Sequence, residues 1–155
     1  MAGVEIGVES MAVEQNQNRF RIALPSGWED QTVYTFKGPD DSGVQHNLVL
    51  IIDDEAGGID QRAYAKSRLE SIKDTLSGFE LMGERERILK SGKTAYEIVY
   101  KWLPSPDKTL IQKQVFTIIA GKAYNFTSSF SKKTIHTIGM QVDEIIDSFS
   151  LPEEQ

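Results

Sequence analysis

The sequence predicts an α+β protein: a two-layer sandwich in which a mainly antiparallel, twisted sheet of about six to seven strands carries two helices on one face. Only two segments show the 3.6-residue apolar period of a helix, and most of the remainder has the two-residue period of a strand. Successive strands meet through tight turns, in the order ββ(β)αββββα. Sequential hairpins give antiparallel neighbours, and such a sheet can leave one face partly open.

Residues 1–18 read as an N-terminal extension or ragged strand, and a single domain is expected over 19–152. Arg19–Leu24 has strand character and ends at the turn Pro25-Ser26-Gly27. Thr32–Phe36 and Asn47–Ile52 are the next strands, with Gly38-Pro39-Asp40-Asp41-Ser42-Gly43 as the loop between them. From Ile59 to Leu76, the residues Ala65, Leu69, Ile72 and Leu76 step by four, three and four, which places them on one helical stripe. Asp60 is the expected N-cap, and Ser77-Gly78-Phe79 supplies a glycine stop with an apolar follower. Residues 80–89 and 94–103 flank Ser91-Gly92-Lys93, and residues 109–119 and 123–130 flank Gly121-Lys122; both pairs are hairpins by spacing and turn chemistry. In the last strand Tyr124, Phe126 and Phe130 alternate with Asn125, Thr127 and Ser129. The second helix, from about Lys132 to Ser148, has the clearest pattern, with Ile135, Ile138, Val142, Ile145 and Phe149 in steps of three and four and Ser131 as cap.

Composition narrows the function classes. Across 155 residues, 17 Lys and Arg stand against 23 Asp and Glu, a net charge of −6. Nucleic acid and anionic membrane surfaces call for a net basic face, so neither is an expected partner. The chain has no cysteine, which removes disulfides, a zinc ribbon, a thiol nucleophile and a lipobox anchor. Met1–Ser10 has neither a positive n-region nor an apolar h-region, and the longest apolar run, Leu48–Ile52, is only a strand's length. The cytoplasm is the expected compartment, without stable membrane insertion.

Several strands break the alternation of a half-solvated sheet. In 109–119 one side carries Leu110, Gln112, Gln114, Phe116 and Ile118, and the other Ile111, Lys113, Val115, Thr117 and Ile119. In 94–103 Tyr96, Ile98, Tyr100 and Trp102 oppose Ala95, Val99 and Leu103. The surplus exceeds what two helices on one face can cover. A central strand, a first segment folded across the sheet, a homodimer or a partner surface would each account for it.

Catalytic and metal motifs are missing. His46 and His136 lie ninety positions apart without a carboxylate or cysteine in motif spacing, and both read as structural or solvated residues. Asp53-Asp54-Glu55 lacks the alternating ligands of an EF-hand and reads as a solvated turn. Gly92-Lys93-Thr94 lacks the first glycine of a phosphate loop, since Arg87 holds that position, and it joins two strands. Asn125-Phe126-Thr127 is a glycosylation sequon by letter but lies mid-strand. Glu84-Arg85-Glu86-Arg87 puts acids on one side of a strand and bases on the other, as on a charged edge that discourages edge-to-edge pairing. No serine sits in a GxSxG elbow. The expectation is a non-enzyme with no cofactor and no metal.

The run Phe20-x-Ile22-x-Leu24-Pro25-x-Gly27-Trp28-Glu29-Asp30-Gln31-Thr32-Val33 resembles the LP-x-GW-x-DQ-(S/T)-(V/I) opening of the DcrB-related family. The resemblance continues through Tyr64, Arg68-Leu69, Leu76-x-Gly78-Phe79-x-Leu81 and Arg85-x-x-Ile88. It then takes in Tyr96-Glu97, Tyr100-x-Trp102, Gln112-x-Gln114-Val115-Phe116 and Ser148-Phe149, so that it spans about residues 19–150. It implies a PsbP-like α+β fold, also found in photosystem II extrinsic subunits. The family has a periplasmic lipoprotein branch, from which this chain departs by lacking a signal and a cysteine.

Among cytoplasmic members the chain looks closest to the Eag chaperones of type VI secretion, dimers that hold the hydrophobic N-terminal helices of membrane-active effectors before loading. The resemblance implies a homodimer with a concave cradle for such helices. Gln and Thr there would stand in for the polar contacts that helices make in a bilayer. The matching positions are Val33, Thr35, Arg68, Ile72, Leu76, Leu110, Gln112 and Gln114. Thr35 and Arg68 are more polar than a purely apolar guest requires. Ile72 and Leu76 also belong to the stripe expected to face the sheet, and a sheet-face Gln114 among apolar neighbours needs a partner. A structural or protein-docking module of PsbP-like type, with its apolar sheet face as a dimer interface, is the alternative.

Overall fold

Tight turns and alternating residues build one antiparallel sheet in the computed structural model, which describes residues 20–152 (Val44 by its backbone alone). The chain divides into two units, residues 1–31 and 32–155. In the first unit, residues 20–24 take no regular structure, and the N–H of Trp28 donates to the carbonyl of Pro25 at 3.2 Å across a turn with Gly27 at φ 94°. The expected turn is present and the expected strand is not; Arg19 lies outside the described residues. A strand exists only within a ladder, and all six paired strands lie between residues 33 and 130.

The second unit runs β1 (Val33–Asp41), β2 (Val44–Asp53), α1 (Gln61–Lys73), β3 (Glu80–Ile88), β4 (Thr94–Ser105), β5 (Lys108–Ile119), β6 (Lys122–Phe130) and α2 (Ile138–Asp147), the last preceded by a 3₁₀ turn at Thr134–His136. The sheet order is β1-β2-β6-β5-β4-β3, with every pairing antiparallel, so β1 and β3 are its edges. The α+β class and the open antiparallel sheet are as the sequence predicts. β1 extends through the expected loop by a register shift between Lys37 and Asp40, and turns back at Ser42-Gly43. Those two residues have φ of 55° and 77°, the pair of positive values that a two-residue hairpin turn uses to match strand twist.

α1 starts where its cap dictates: Asp60 Oδ1 accepts the N–H of Ala63 at 2.8 Å. The second helix is split. Ser131 Oγ accepts the N–H of Thr134 at 3.2 Å, but only a 3₁₀ turn follows before α2 begins at Ile138. The run Thr134-Ile135 and Thr137-Ile138 is β-branched, a sequence that crowds an α-helical turn.

The placement of the helices differs from the prediction. They lie on opposite faces of the sheet, because adjacent strand residues belong to different clusters. Ala95, Val115, Tyr124, Phe126, Phe130, Leu48 and Leu50 pack with Ile138, Val142 and Ile146 of α2. Tyr96, Ile98, Tyr100 and Phe116 pack with Ala65 and Leu69 of α1. A helical stripe specifies that a face is buried and is silent on which side of the sheet receives it. This arrangement explains why β4 and β5 are apolar on both sides.

The α2 face is sealed. Phe149 sits 5.1 Å from both the Tyr124 and Phe126 rings. Beside this core is a buried charge cluster. Arg87 donates to Glu97 Oε1 at 2.8 Å and to Asp147 Oδ1 at 2.7 Å, while Lys113 Nζ donates to Asp143 Oδ1 at 2.8 Å. Arg85 reaches the other Glu97 oxygen at 3.0 Å. Burial lowers the Arg87 pKa, but its bond to Asp147 and the charges of Asp147, Glu97 and Asp143 outweigh this and hold it above the ordinary value. β3 is the charged edge strand the sequence suggests, with Arg85 exposed, but Arg87 turns inward to fasten α2.

Candidate helix-binding groove

On the α1 face, cover stops halfway across the sheet. The side chain of Gln61 bonds Thr94 at one end of α1, and beyond its other end the N–H of Leu103 donates to Ser77 O at 2.8 Å, so the helix runs along β4. Its two flanks are fixed by opposite partners. Lys66 Nζ meets Glu84 Oε1 at 2.6 Å towards β3, and Tyr64 OH donates to Asp53 Oδ2 at 2.7 Å towards β2. Residues four apart share a flank, so Tyr64, Arg68 and Ile72 form a wall over the uncovered half of the sheet.

The Tyr64–Asp53 tie shows in its chemistry. The bond from Tyr64, with that from the Glu55 N–H, holds the Asp53 carboxyl below its usual value. Burial and the Asp53 bond push the Tyr64 hydroxyl up to about 12.

The floor follows from the register. One cross-strand row is Val33–Ile51–Asn125–Phe116–Tyr96, and the next is Thr35–Val49–Thr127–Gln114–Ile98. Ser129–Gln112–Tyr100 and then Leu110–Trp102 follow. Rows are about 6.6 Å apart, close to the rise of about 6 Å over four helical residues, so Tyr64, Arg68, Ile72 and Leu76 keep step with them. α1 covers the β4–β5 side, where Tyr100 is 1% exposed, whereas Val33 is 50% and Ile51 40% exposed on the β1–β2 side. The result is a trough with a sheet floor and one helical wall.

All eight residues singled out from the sequence lie on this face, in different settings. Val33, Thr35 and Arg68 are exposed, and Leu110 and Gln112 are half-buried. Ile72 and Leu76 are half-buried against the aromatic core under α1, so packing is part of their role. Gln114 is 6% exposed and already has partners: its Nε2 donates to Tyr100 OH at 2.8 Å and its Oε1 accepts from Asn125 Nδ2 at 3.3 Å. Gln112 Nε2 donates to Ser129 Oγ at 2.9 Å. Sequence reasoning missed Val49, Ile51, Thr127 and Ser129, although the alternation of Asn125, Thr127 and Ser129 against aromatics marks them as a second-face row.

Among the described residues no group of three or more His, Cys, Asp or Glu is placed to hold a metal ion, and no helix is long and apolar enough to cross a membrane. His46 is buried beside Phe130, with ring centroids 6.1 Å apart, and His136 is exposed on the 3₁₀ turn. Gly92 has φ 93° in the β3–β4 turn and opens no helix.

Among the described residues, an open antiparallel sheet with one helix on each face makes a PsbP-like α+β fold. The chain belongs to the DcrB family, whose model matches residues 21–148. Among solved structures it is similar to the Pseudomonas aeruginosa protein PA94, named as a candidate regulator of unknown function. That match has a TM-score of 0.72 at 19% identity and covers 86% of this chain and 92% of that one. The PsbP protein CyanoP of Synechocystis matches with a TM-score of 0.55 at 15% identity over 84% and 98% of the two chains. LpqN of Mycobacterium tuberculosis, involved in cell envelope biogenesis, matches with a TM-score of 0.54 at 18% identity over 72% and 65%. At these identities the likeness is one of fold. No functionally curated protein matches the sequence.

Proposed function

We propose that the protein is a non-enzymatic, cytoplasmic chaperone or adaptor of Eag type. It acts as a homodimer that holds hydrophobic, transmembrane-type N-terminal helices of a type VI secretion effector and helps load them onto the secretion apparatus. The trough carries this reading: Val33, Val49, Ile51 and Leu110 offer apolar floor, while Thr127, Ser129 and Gln112 offer hydrogen-bonding groups on the same surface. A guest helix of about 20 residues is about 30 Å long. Water penalises its apolar face, and a floor of this mixed kind relieves that while meeting polar side chains as a neighbouring helix would.

Co-expression with an effector's N-terminal helices should give a complex whose mass is read by light scattering. Ile51→Asp and Leu110→Asp should abolish the complex without unfolding the protein. Gln114→Arg is a poor probe, because it would break the buried bonds to Tyr100 and Asn125. Unchanged affinity in both aspartate variants would place the cradle elsewhere.

A second reading has one observation in its favour: Val33 and Ile51 lie at the β1 edge, where a second copy can meet the sheet. The apolar face is then a dimer interface of a docking module. Ile51→Asp would yield monomers under that reading and leave the dimer intact under the first.

A further inference from the structure

The polar side chains of the floor bond mainly to one another, and the unpaired charge lies on the wall. Thr127 Oγ1 donates to Asn125 Oδ1 at 3.2 Å, Asn125 Nδ2 to Gln114 Oε1 at 3.3 Å, and Gln114 Nε2 to Tyr100 OH at 2.8 Å. All three bonds run the same way, from β6 across β5 to β4, and such chains polarise their members. Tyr100 ends the chain as an acceptor, 1% exposed beneath α1 and out of a guest's reach. Two positions along the same face, the indole Nε1 of Trp102 is buried without a partner. Arg68 stands on the wall, exposed and in no ion pair among the described residues, with its charge felt at Tyr100, Tyr64 and Asp53. Its wall neighbours Tyr64 and Ile72 pack on the aromatic core, so Arg68 is the cation of an otherwise apolar wall.

Resting on the groove reading above, we propose that the guest is a largely apolar helix carrying a side-chain carboxylate, and that Arg68 receives it. A carboxylate carried into an apolar cradle is costly unless it is paired and hydrogen-bonded. Here the exposed guanidinium of Arg68 offers two parallel N–H donors. A guest with lysine at the same position meets like charge and is rejected.

The test uses the full-length protein and three fluorescent helical peptides of leucine and alanine with lysine at both ends, differing only in a central Glu, Gln or Lys. Anisotropy should show the Glu peptide binding at least about tenfold tighter than the Gln peptide, and the Lys peptide weakest. Arg68→Gln should bring the Glu peptide to the level of the Gln peptide, and Arg68→Glu should invert the order of Glu and Lys. Equal binding of the Glu and Gln peptides to the wild type would overturn the carboxylate and leave the groove standing. Failure of all three to bind would remove the groove as well.

Discussion

The two faces of the sheet are made from alternate residues of the same six strands, yet one is closed and the other is not. On β2, Leu48 and Leu50 are each 3% exposed beneath α2, whereas Ile51, which points the other way, is 40% exposed. The difference lies in where each helix is held. α2 and the tail that follows it reach the β2–β6 half through Phe149 and Leu151, and Asp143 and Asp147 fasten the helix to Arg87 and Lys113 on the β3–β5 half. α1 is held to β4 and leaves Val33, Thr35 and Ile51 exposed on the β1–β2 side. The closed core and the open trough therefore lie on opposite sides of one ladder.

The largest effect that would separate the faces is on the sealed side. Arg87→Ala leaves the Glu97 carboxylate buried with Arg85 and Lys113 as its remaining cations, and urea unfolding should record a loss of about 3–5 kcal/mol. A loss of a few tenths would mean that water reaches Glu97 and that this face is not closed. Neighbouring truncations on β2 sharpen the contrast: Leu50→Ala should cost about 2–5 kcal/mol and Ile51→Ala less than about 1 kcal/mol. Equal costs would erase the distinction between core and trough.

The smallest effect concerns the tie between α1 and β2. Tyr64→Phe should lower stability by about 0.5–1.5 kcal/mol at neutral pH. Tyr64 keeps its proton from its ordinary value of 10.0 up to about 12, so its contribution is full below pH 10 and is lost as pH rises through 12. The depressed Asp53 carboxyl acts at the other end, contributing above its ordinary 3.8 and failing as pH falls further. Stability profiles of the variant should be flatter in both windows, and an unchanged profile would show that the bond does not hold the helix.

The hairpins were legible because their turns carry glycine at Gly92 and Gly121, each with positive φ, and α1 was legible through Asp60 and its stripe. Illegible was anything depending on which side of the sheet an amphipathic element chooses, because periodicity is a property of one segment and packing of two. Much of the apolar surplus that suggested an interface is covered by the second helix layer, while Ile51 and Leu103 of those strands stay exposed. The ion cluster joins β3, β4, β5 and α2, so no local window contains it. Its trace in the sequence is Glu97 and Lys113 on strands otherwise rich in apolar residues, together with the four-residue spacing of Asp143 and Asp147. The family blocks mark the trough's residues without distinguishing Gln114, which is bonded within the floor, from Val33, which is open to a visitor.

Because Lys66–Glu84 and Tyr64–Asp53 anchor α1 from opposite flanks, the helix hangs like a jaw between two hinges. Its gape is set in part by Glu84, whose carboxyl the bonds from Lys66 and Tyr96 hold below its usual pKa. Glu84 lies behind the helix, where it meets no occupant. If the trough holds a guest as proposed, substitution of such a residue would adjust the fit to a differently sized one while every contact surface keeps its chemistry.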